Sequence, residues 1–314
     1  LSVCFGAADI SFQDVFAIIV RLLGGEAEVD AIKERIVLEL RLPRTILAFL
    51  AGAGLSLSGA VLQTVTRNPL ADPYLFGISS GASFGAVLVI ASVGAASGMV
   101  SITGGAFLGG ALSVLLVISL AGMGVQIERM LLAGVAVQFM FSSATSLVLY
   151  LSDPQAAASL LFWILGSFTR ASWDNLLLPA VIISVCLAVF LAFSRPLRAI
   201  LAGDESAKAL GVEVYRLRIG MLLLSSLLTA TLVASCGGIG FVGLMVPHIV
   251  RRLLINNSQY VLIGSAIFGG IFMIWVDVLA RMLMENSELP VGVITAAMGS
   301  MFFLLVLKRR TTSS

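Results

Sequence analysis

Few residues in this sequence are of the types that carry out catalysis or bind metals. His248 is the only histidine, and because it follows Pro247 we interpret it as part of a helix break with a backbone hydrogen bond. Asp277 and Arg281 stand four residues apart, a spacing that favours a local ion pair over a proton relay. The three cysteines show no ligand or pairing spacing, and an HExxH motif is absent. The sequence therefore predicts no catalytic centre, metal site or disulfide framework.

The composition places these residues among membrane-spanning helices. Hydrophobic residues make up 59% of the 314 residues, charged residues only 11%, and the mean hydropathy is +1.07. A soluble domain has about 25% charged residues, and a helix needs about 20 residues to cross the bilayer core. We predict nine spans, with the seventh too short to cross alone, at approximately 45–65, 74–95, 103–124, 130–151, 175–193, 219–236, 242–254, 260–281 and 291–307.

The basic residues separate onto the two sides of these spans. Cytoplasmic loops near span ends retain positive charge, so the more basic side is predicted to be cytoplasmic and to include the C-terminus. The other side holds the remaining basic residues and most of the acidic ones. The basic residues of the predicted cytoplasmic side are Arg67, Arg129, Arg195, Arg198, Lys208, Arg216, Arg218, Arg251, Arg252, Lys308, Arg309 and Arg310.

The N-terminal part of the chain contains no full span. Residues 1–8 form a short apolar stub, and residues 9–44 form a polar, amphipathic segment on the outer side. An odd number of spans would leave the first residue outside, so we expect that an initial helix is missing or begins upstream, with a cleaved signal peptide as the alternative. Between Arg41 and Gly85 a polar, proline-containing turn separates two apolar helices, an arrangement typical of a membrane pore.

Glycines recur at close spacing, as at Gly81 and Gly85 and again at Gly105 and Gly109. In lipid, small residues let two helix backbones approach closely. We interpret most of these glycines as packing seams of a tight bundle.

The longest charged connection on the predicted cytoplasmic side is the segment 194–218. Asp204 and Glu205 stand where negative charge suits the start of a short helix, and Gly211 can close that helix at its carboxyl end. Such a helix at the membrane surface could dock a soluble partner. Taken alone, the segment could equally be an ordinary solvated loop.

Eight motifs in order along the chain support the docking interpretation. They are RLPR at 41–44, SGAVLQ at 58–63, RNPLADPYLFGISSGA at 67–82, LLAGVAV at 131–137, GDESAKALGV at 203–212, GGIGFVGLMVPHIVR at 237–251, DVLAR at 277–281 and ELPVGVITA at 288–296. With these motifs the chain resembles the FecCD family of membrane permeases, which includes vitamin B12, haem and ferric-siderophore importers. The resemblance implies an all-α polytopic bundle of the type II ABC importer class, with one permease domain over residues 1–314 and ten spans in the family against the nine found here.

The resemblance also implies what the cytoplasmic segment does. The 203–212 segment would be a coupling helix that sits in a cleft of an ATPase subunit, with Asp204, Glu205, Ser206, Ala207, Leu210 and Gly211 as the coupling residues. The chain has no GxxxxGK[ST] phosphate loop. ATP and Mg²⁺ would therefore be bound by the partner ATPase, and this chain would bind no cofactor and catalyse no reaction itself.

On the outer side, Arg41, Arg44 and Arg281 match positions at which related permeases offer arginines to glutamates of a substrate-binding protein. Arginine forks suit such carboxylates. The alternative is that Arg41 and Arg44 anchor their helix at the membrane interface and that Arg281 pairs with Asp277.

The family's pathway is lined by its fifth, eighth and tenth helices, which correspond here to 130–151, 242–254 and 291–307. The candidate lining residues on the first of these are polar and uncharged: Gln138, Ser142, Ser143, Thr145 and Ser146. Such a wall would suit a bulky chelate that must not bind tightly to the pathway. Several of these hydroxyls could instead bond to their own helix backbone or to a neighbouring helix.

The resemblance implies the partners and location but leaves the cargo open. It implies a second copy of this chain, two ATPase subunits, a periplasmic or lipid-anchored binding protein, membrane lipid, no nucleic acid, and the bacterial inner membrane. Ferric siderophores or haem are the expected cargo because iron chelates are the commonest in the family. Cobalamin or molybdate are alternatives, as is an ion-coupled secondary carrier. Arg170 could attract an anionic cargo, or could face water or the binding protein.

Overall fold

The computed structural model describes residues 2–6, 8–26, 29–93, 99–122, 127–254, 258–284 and 287–311, and this part of the chain is helical without strands. A 3₁₀ turn at Ser2–Cys4 precedes the helices. These are α1 Phe12–Leu22, α2 Ala31–Arg35, α3 Leu42–Val65, α4 Ile78–Val93, α5 Met99–Ala121, α6 Ile127–Leu151, α7 Pro154–Ile164, α8 Trp173–Ala192, α9 Ser194–Leu201, α10 Asp204–Ala209, α11 Val214–Cys236, α12 Val242–Leu253, α13 Ser258–Met282 and α14 Val291–Thr311.

Each of the nine predicted spans corresponds to one helix. By length and composition, six segments of the described chain can cross a membrane, and they correspond to α3, α5, α6, α8, α11 and α13. The apolar parts of α4 and α14 are shorter, and α12 has only 12 residues. We call the end of the bundle that carries Val65 and α10 the inner end, following the predicted orientation, and the opposite end the outer end.

Helix α3 is the centre of the bundle. Every residue from Ala51 to Val65 is buried, and α3 packs against α8, α11, α12 and α13. A π-helical stretch, Ile36–Arg41, joins α2 to α3 at the outer end. Because α3 is enclosed by protein over this range, its polar side chains can find partners only in the protein. Ser58, Gln63 and Thr64 each donate to a backbone carbonyl, whereas the buried hydroxyl of Ser56 has no hydrogen-bond partner among the described residues.

Glycine seams bring the helix backbones together, as the sequence predicted. A Cβ atom on Gly85 would overlap the carbonyl of Gly105, and one on Gly109 would overlap that of Gly81, so α4 and α5 touch backbone to backbone. The same contact joins Gly52 of α3 to Gly269 of α13. Such close approach is how helices associate in lipid, where no hydrophobic driving force acts between them.

Helices α4 and α12 are short because the chain turns inside the bundle before each begins. A Cβ on Gly243, near the start of α12, would lie 2.8 Å from the carbonyl oxygen of Leu55, which is in the middle of α3. The same position is 3.3 Å from Pro73, in the 3₁₀ turn Pro73–Phe76 that precedes α4. Irregular backbone at membrane depth is tolerated when protein surrounds it.

Two sequence interpretations need correction. Pro247 and His248 lie within α12 and not at a helix break, and the His248 ring packs edge-on against Phe302 of α14 with centroids 5.8 Å apart. Helix α7 was not predicted, because its 11 residues are too few for a span. The carbonyls of Leu165 and Gly166, which follow α7, accept the amides of Gly292 and Val291 at 3.1 Å, so this segment caps the start of α14.

We expect the Gly52→Ala variant to lose about 1–3 kcal/mol of stability, because the added methyl group must push α3 away from α13. Thermal unfolding of the purified protein in detergent measures this loss. Gly220→Ala in α11 is the matched control, since a Cβ there meets no atom within 4 Å and alanine favours a helix by about 1 kcal/mol. Equal melting temperatures for the two variants would contradict close packing at Gly52.

Candidate functional site

The inner end presents a short helix, α10, on a compact turn. Gly211 ends it with a positive φ of 79°, and its amide donates to the carbonyl of Lys208 at 2.9 Å. The Val212 amide donates to the carbonyl of Ala207 at 3.0 Å. The predicted helix, its acidic start and its glycine end are therefore all present.

Arg218 of α11 fixes α10 to the bundle. Its side chain is 5% exposed, and its two terminal nitrogens donate to the Asp204 carboxylate, the shorter contact being 3.0 Å. Its Nε donates to the carbonyl of Val65 at the end of α3, also at 3.0 Å. One guanidinium thus joins α10, α11 and the central helix α3.

The charges around Asp204 keep its carboxylate ionised. Burial of Asp204 disfavours ionisation, but hydrogen bonds and charge from Arg218, with smaller effects of Arg67 and Lys208, outweigh it and hold the pKa below its ordinary value. A carboxylate whose pKa is lowered on folding contributes stability above its unfolded pKa of about 4 and loses that contribution as the pH falls through its folded value. The anchor of α10 is therefore fully charged at neutral pH.

The six predicted coupling residues divide into two groups. Glu205, Ser206, Leu210 and Gly211 are exposed, and the Leu210 side chain is 74% exposed. Ala207 is fully buried beneath the helix, and Asp204 is engaged by Arg218. The exposed residues form the surface that a partner could contact. Ala207 and Asp204 attach the helix to the bundle.

A second polar link, not predicted from the sequence, joins the inner half of α3 to α12. Pro247 has no amide hydrogen, so the carbonyl of Gly243 lacks its helical donor. The side-chain amide of Gln63 donates to that carbonyl at 3.2 Å, and its oxygen accepts a hydrogen bond from Arg251. Gln63 ends the SGAVLQ motif and Arg251 ends the GGIGFVGLMVPHIVR motif. Their membership of these motifs was the one sequence feature that could have drawn attention to the two residues.

The outer end carries a buried charge cluster that includes two of the predicted docking arginines. Arg44 pairs with Asp277 and Glu288, each at 2.8 Å, and its side chain is 12% exposed. Arg281 pairs with Asp277 at 3.0 Å, so the predicted ion pair on α13 is present. The Asp277 side chain is only 1% exposed and holds both arginines.

Arg41 and Arg281 also hold the start of the chain. Arg41 is 7% exposed and donates to the carbonyls of Val3, Cys4 and Ala8 at 2.6–3.2 Å. Arg281 donates to the carbonyl of Phe5 at 2.7 Å. The guanidinium groups of Arg41, Arg44 and Arg281 therefore donate within the chain, and docking of another protein to them stays a prediction.

The candidate pathway residues on α6 do not share one environment. Ser142, Ser143 and Ser146 are exposed, and Gln138 is half-buried. Thr145 is buried and its hydroxyl donates to the carbonyl of Phe141 at 2.8 Å, while Ser146 donates to that of Ser142 at 2.9 Å. Bonding to the helix backbone is thus confirmed for Thr145 and Ser146, and Thr145 is turned into the bundle.

Arg170 lines a hollow at the outer end, between the end of α7 and the segment that precedes α14. The hollow has a volume of about 360 Å³. Its wall includes the hydroxyl-bearing residues Ser167 and Thr169, and Glu288 of the outer charge cluster. Arg170 is exposed and therefore accessible from outside the bundle.

Comparison with known proteins settles the family. The model of the FecCD transport family matches residues 1–309. The Fe(3+)-citrate import system permease protein YfmD of Bacillus subtilis (strain 168) is 37% identical over 312 residues, which cover 98% of this chain and 90% of that protein. The chain belongs to the FecCD transport family. It is thus an ABC importer permease, of a family whose members are non-catalytic and work with ATPases and a binding protein.

Further relatives are named for different cargoes, and a solved structure shares the fold. The hemin transport system permease protein HmuU of Yersinia pestis is 37% identical, covering 88% of this chain and 84% of its own length. Other matching relatives are named for molybdate and vitamin B12 import. A solved structure described as an inward-facing metal-chelate type ABC transporter superposes with a TM-score of 0.84 at 31% identity, over 95% of this chain and 98% of that one.

We expect Arg218→Gln to loosen α10, because Asp204 and the Val65 carbonyl each lose a charged donor worth on the order of 2 kcal/mol. Hydrogen exchange of the 204–212 amides should then accelerate on the order of tenfold or more. Arg216→Gln is the matched control, since this neighbouring arginine is exposed and pairs with the also exposed Glu213 of the same turn. Equal exchange in both variants would show that Arg218 does not anchor α10.

We expect Asp277→Asn to cost about 3–5 kcal/mol of stability, because it leaves two buried arginines without their shared carboxylate. The melting temperature of the purified protein in detergent measures the loss. Glu288→Gln removes the more exposed partner of Arg44 and should cost much less. A larger loss from the Glu288 variant would place the cluster's main contact at Glu288.

Proposed function

We propose that this chain is the membrane-spanning subunit of a binding-protein-dependent importer that moves a metal chelate into the cytoplasm. Two copies would pair around a central pathway in the bacterial inner membrane, with the C-terminus cytoplasmic. Two separate ATPase subunits would hydrolyse ATP and hold its Mg²⁺. A periplasmic or lipid-anchored binding protein would deliver the cargo, which we propose to be a ferric siderophore or haem.

The observation that carries this proposal is the construction of α10. A helix that transmits force must be fixed to the moving body on one side and free to contact its partner on the other. Asp204 and Ala207 fix α10 to α3 and α11, whereas Glu205, Ser206 and Leu210 are exposed. An ordinary solvated loop needs neither a buried arginine anchor nor an exposed apolar side chain beside it.

The proposed pathway runs along the exposed face of α6. Ser142, Ser143 and Ser146 offer hydroxyl groups without charge. A wall of this kind gives a bulky chelate weak contacts, so the chelate can both enter and leave. The relatives named for Fe(3+)-citrate and hemin import support an iron chelate as cargo.

The proposed docking site for the binding protein is the outer charge cluster. Glu288 is 41% exposed and is therefore the accessible member of the cluster around Arg44. A carboxylate of the binding protein could replace Glu288 as a partner of Arg44, because the guanidinium can donate its hydrogen bonds to either carboxylate. Docking at this point would reach α3 and α13 directly.

In the proposed cycle, the loaded binding protein docks at the outer end and ATP binding closes the two ATPase subunits. The ATPases push on α10, and Arg218 passes this movement to α3 and α11. The two bundles then reorient and the cargo passes along the axis between them. ATP hydrolysis then returns the inner end to its starting arrangement. In this cycle the chain forms the moving wall of the pathway and carries out no chemical step.

Transport in vesicles tests the proposal. The chain is reconstituted with its ATPase and binding protein, and uptake of a ferric siderophore, haem, cobalamin and molybdate is measured with ATP and, separately, with an ion gradient. ATP-dependent uptake of an iron chelate is the expected result. Uptake of cobalamin or molybdate would reassign the cargo, and uptake driven by an ion gradient without ATP would overturn the importer mechanism.

We expect Leu210→Asp to abolish ATP-dependent uptake while leaving the melting temperature unchanged. The side chain is 74% exposed, so the folded chain tolerates the charge, but an apolar cleft in the ATPase would not. Leu23→Asp is the control, since Leu23 is 84% exposed in the outer segment. Normal uptake by the Leu210 variant would remove α10 from the coupling contact.

A further inference from the structure

A groove of about 470 Å³ lies between α5, α8 and α11, away from α10 and from the α6 face. Its wall is mainly apolar and includes Phe107, Leu178, Ile182 and Leu227. The volume falls within the range of about 300–1,000 Å³ that is usual for small-molecule sites. Nothing in the proposed transport cycle uses this groove.

One end of the groove is polar and presents hydrogen-bond acceptors. Asp174 lies there on the first turn of α8, is exposed, and has no hydrogen-bond or ion-pair partner among the residues that the structure describes. Pro179 is inside α8 and has no amide hydrogen, so the carbonyl of Asn175 lacks its helical donor. Both residues line the groove.

Two of the three hydroxyl groups that line the groove already donate to backbone carbonyls, and the third belongs to Thr103. Thr231 donates to the carbonyl of Leu227 at 2.8 Å, and Ser235 donates to that of Thr231 at 2.8 Å. The polar end therefore offers a carboxylate and a carbonyl to a ligand. A ligand that complements it must donate hydrogen bonds and carry positive charge.

The surroundings of the groove indicate that the ligand comes from the membrane. Leu177, Val181 and Val185 are exposed along α8, so this helix presents an apolar face beside the groove. Trp173, next to Asp174, donates its indole N–H to the carbonyl of Leu38 in the outer segment. Tryptophan is enriched at the level of lipid head groups, which places Asp174 at the height of those head groups.

We propose that this groove binds a phospholipid with a primary amine head group. The ammonium group would contact Asp174 and the Asn175 carbonyl, and one acyl chain would lie against Phe107, Leu178 and Ile182. A choline head group cannot donate an N–H hydrogen bond, and a glycerol head group carries no positive charge. The site should therefore prefer phosphatidylethanolamine over phosphatidylcholine and phosphatidylglycerol.

Native mass spectrometry of the detergent-purified protein tests this site. Phosphatidylethanolamine, phosphatidylcholine and phosphatidylglycerol with identical acyl chains are added separately, and the bound fraction is measured for each. The expected result is preferential retention of phosphatidylethanolamine. Asp174→Asn should reduce that retention on the order of tenfold and leave phosphatidylglycerol unchanged, because a charged hydrogen bond is lost.

Two tryptophan variants locate the lipid. Leu178→Trp fills the groove and should prevent retention, whereas Leu177→Trp, one position along on the exposed face of α8, should not. Equal retention of all three lipids by the unaltered protein would overturn the head-group assignment. Unchanged lipid retention in the Leu178 variant would overturn the groove as a lipid site. So would a Leu178 variant that changes its oligomeric state while no lipid is bound to the unaltered protein, because the groove would then be covered by a second copy of the chain.

Discussion

An arginine buried in a membrane bundle must find a partner for its donors inside the protein, and this requirement shapes both ends of α3. At the outer end, Arg44 and Arg281 share Asp277, which is 1% exposed. At the inner end, Arg218 donates to Asp204 and to the last carbonyl of α3. Breaking either cluster leaves a buried charge unpaired, so each end accepts few alternative arrangements. The central helix is thereby held in register with its neighbours.

The same contacts that stabilise the bundle also connect its inner surface to its centre. Glycine seams let α3 and α13, and α4 and α5, approach closely enough to behave as packed units. The inner polar links then attach α10 and α12 to α3 through Arg218, Gln63 and Arg251. In the proposed cycle, a push on α10 would be delivered through these contacts to the centre of the bundle and would change how two copies of the chain are arranged. Transmission of such a push would be a physical reason for burying costly charges next to the exposed surface of α10.

Hydropathy was enough to predict nine of the described helices, because each of those apolar runs forms one, but it did not predict the short helices α1, α2 and α9. It missed α7, which is too short for a span, and it could not show that α4 and α12 begin inside the bundle. The acidic start and glycine end of α10 were readable because both signals are local. The partners of Arg44 and Arg218 were not, since Asp277 and Val65 lie far from them in sequence and only the packing brings them together.

The most direct test of this account is whether α10 moves with the bundle. Spin labels at Ser206→Cys and Leu223→Cys, on a background without Cys4, Cys186 and Cys236, report the distance between α10 and α11 by pulsed electron resonance. Labelled subunits are diluted with unlabelled ones in the assembled complex. The account predicts the same distance distribution with and without ATP, and a broader one in Arg218→Gln. A distance that changes on ATP binding in the unaltered protein would contradict it.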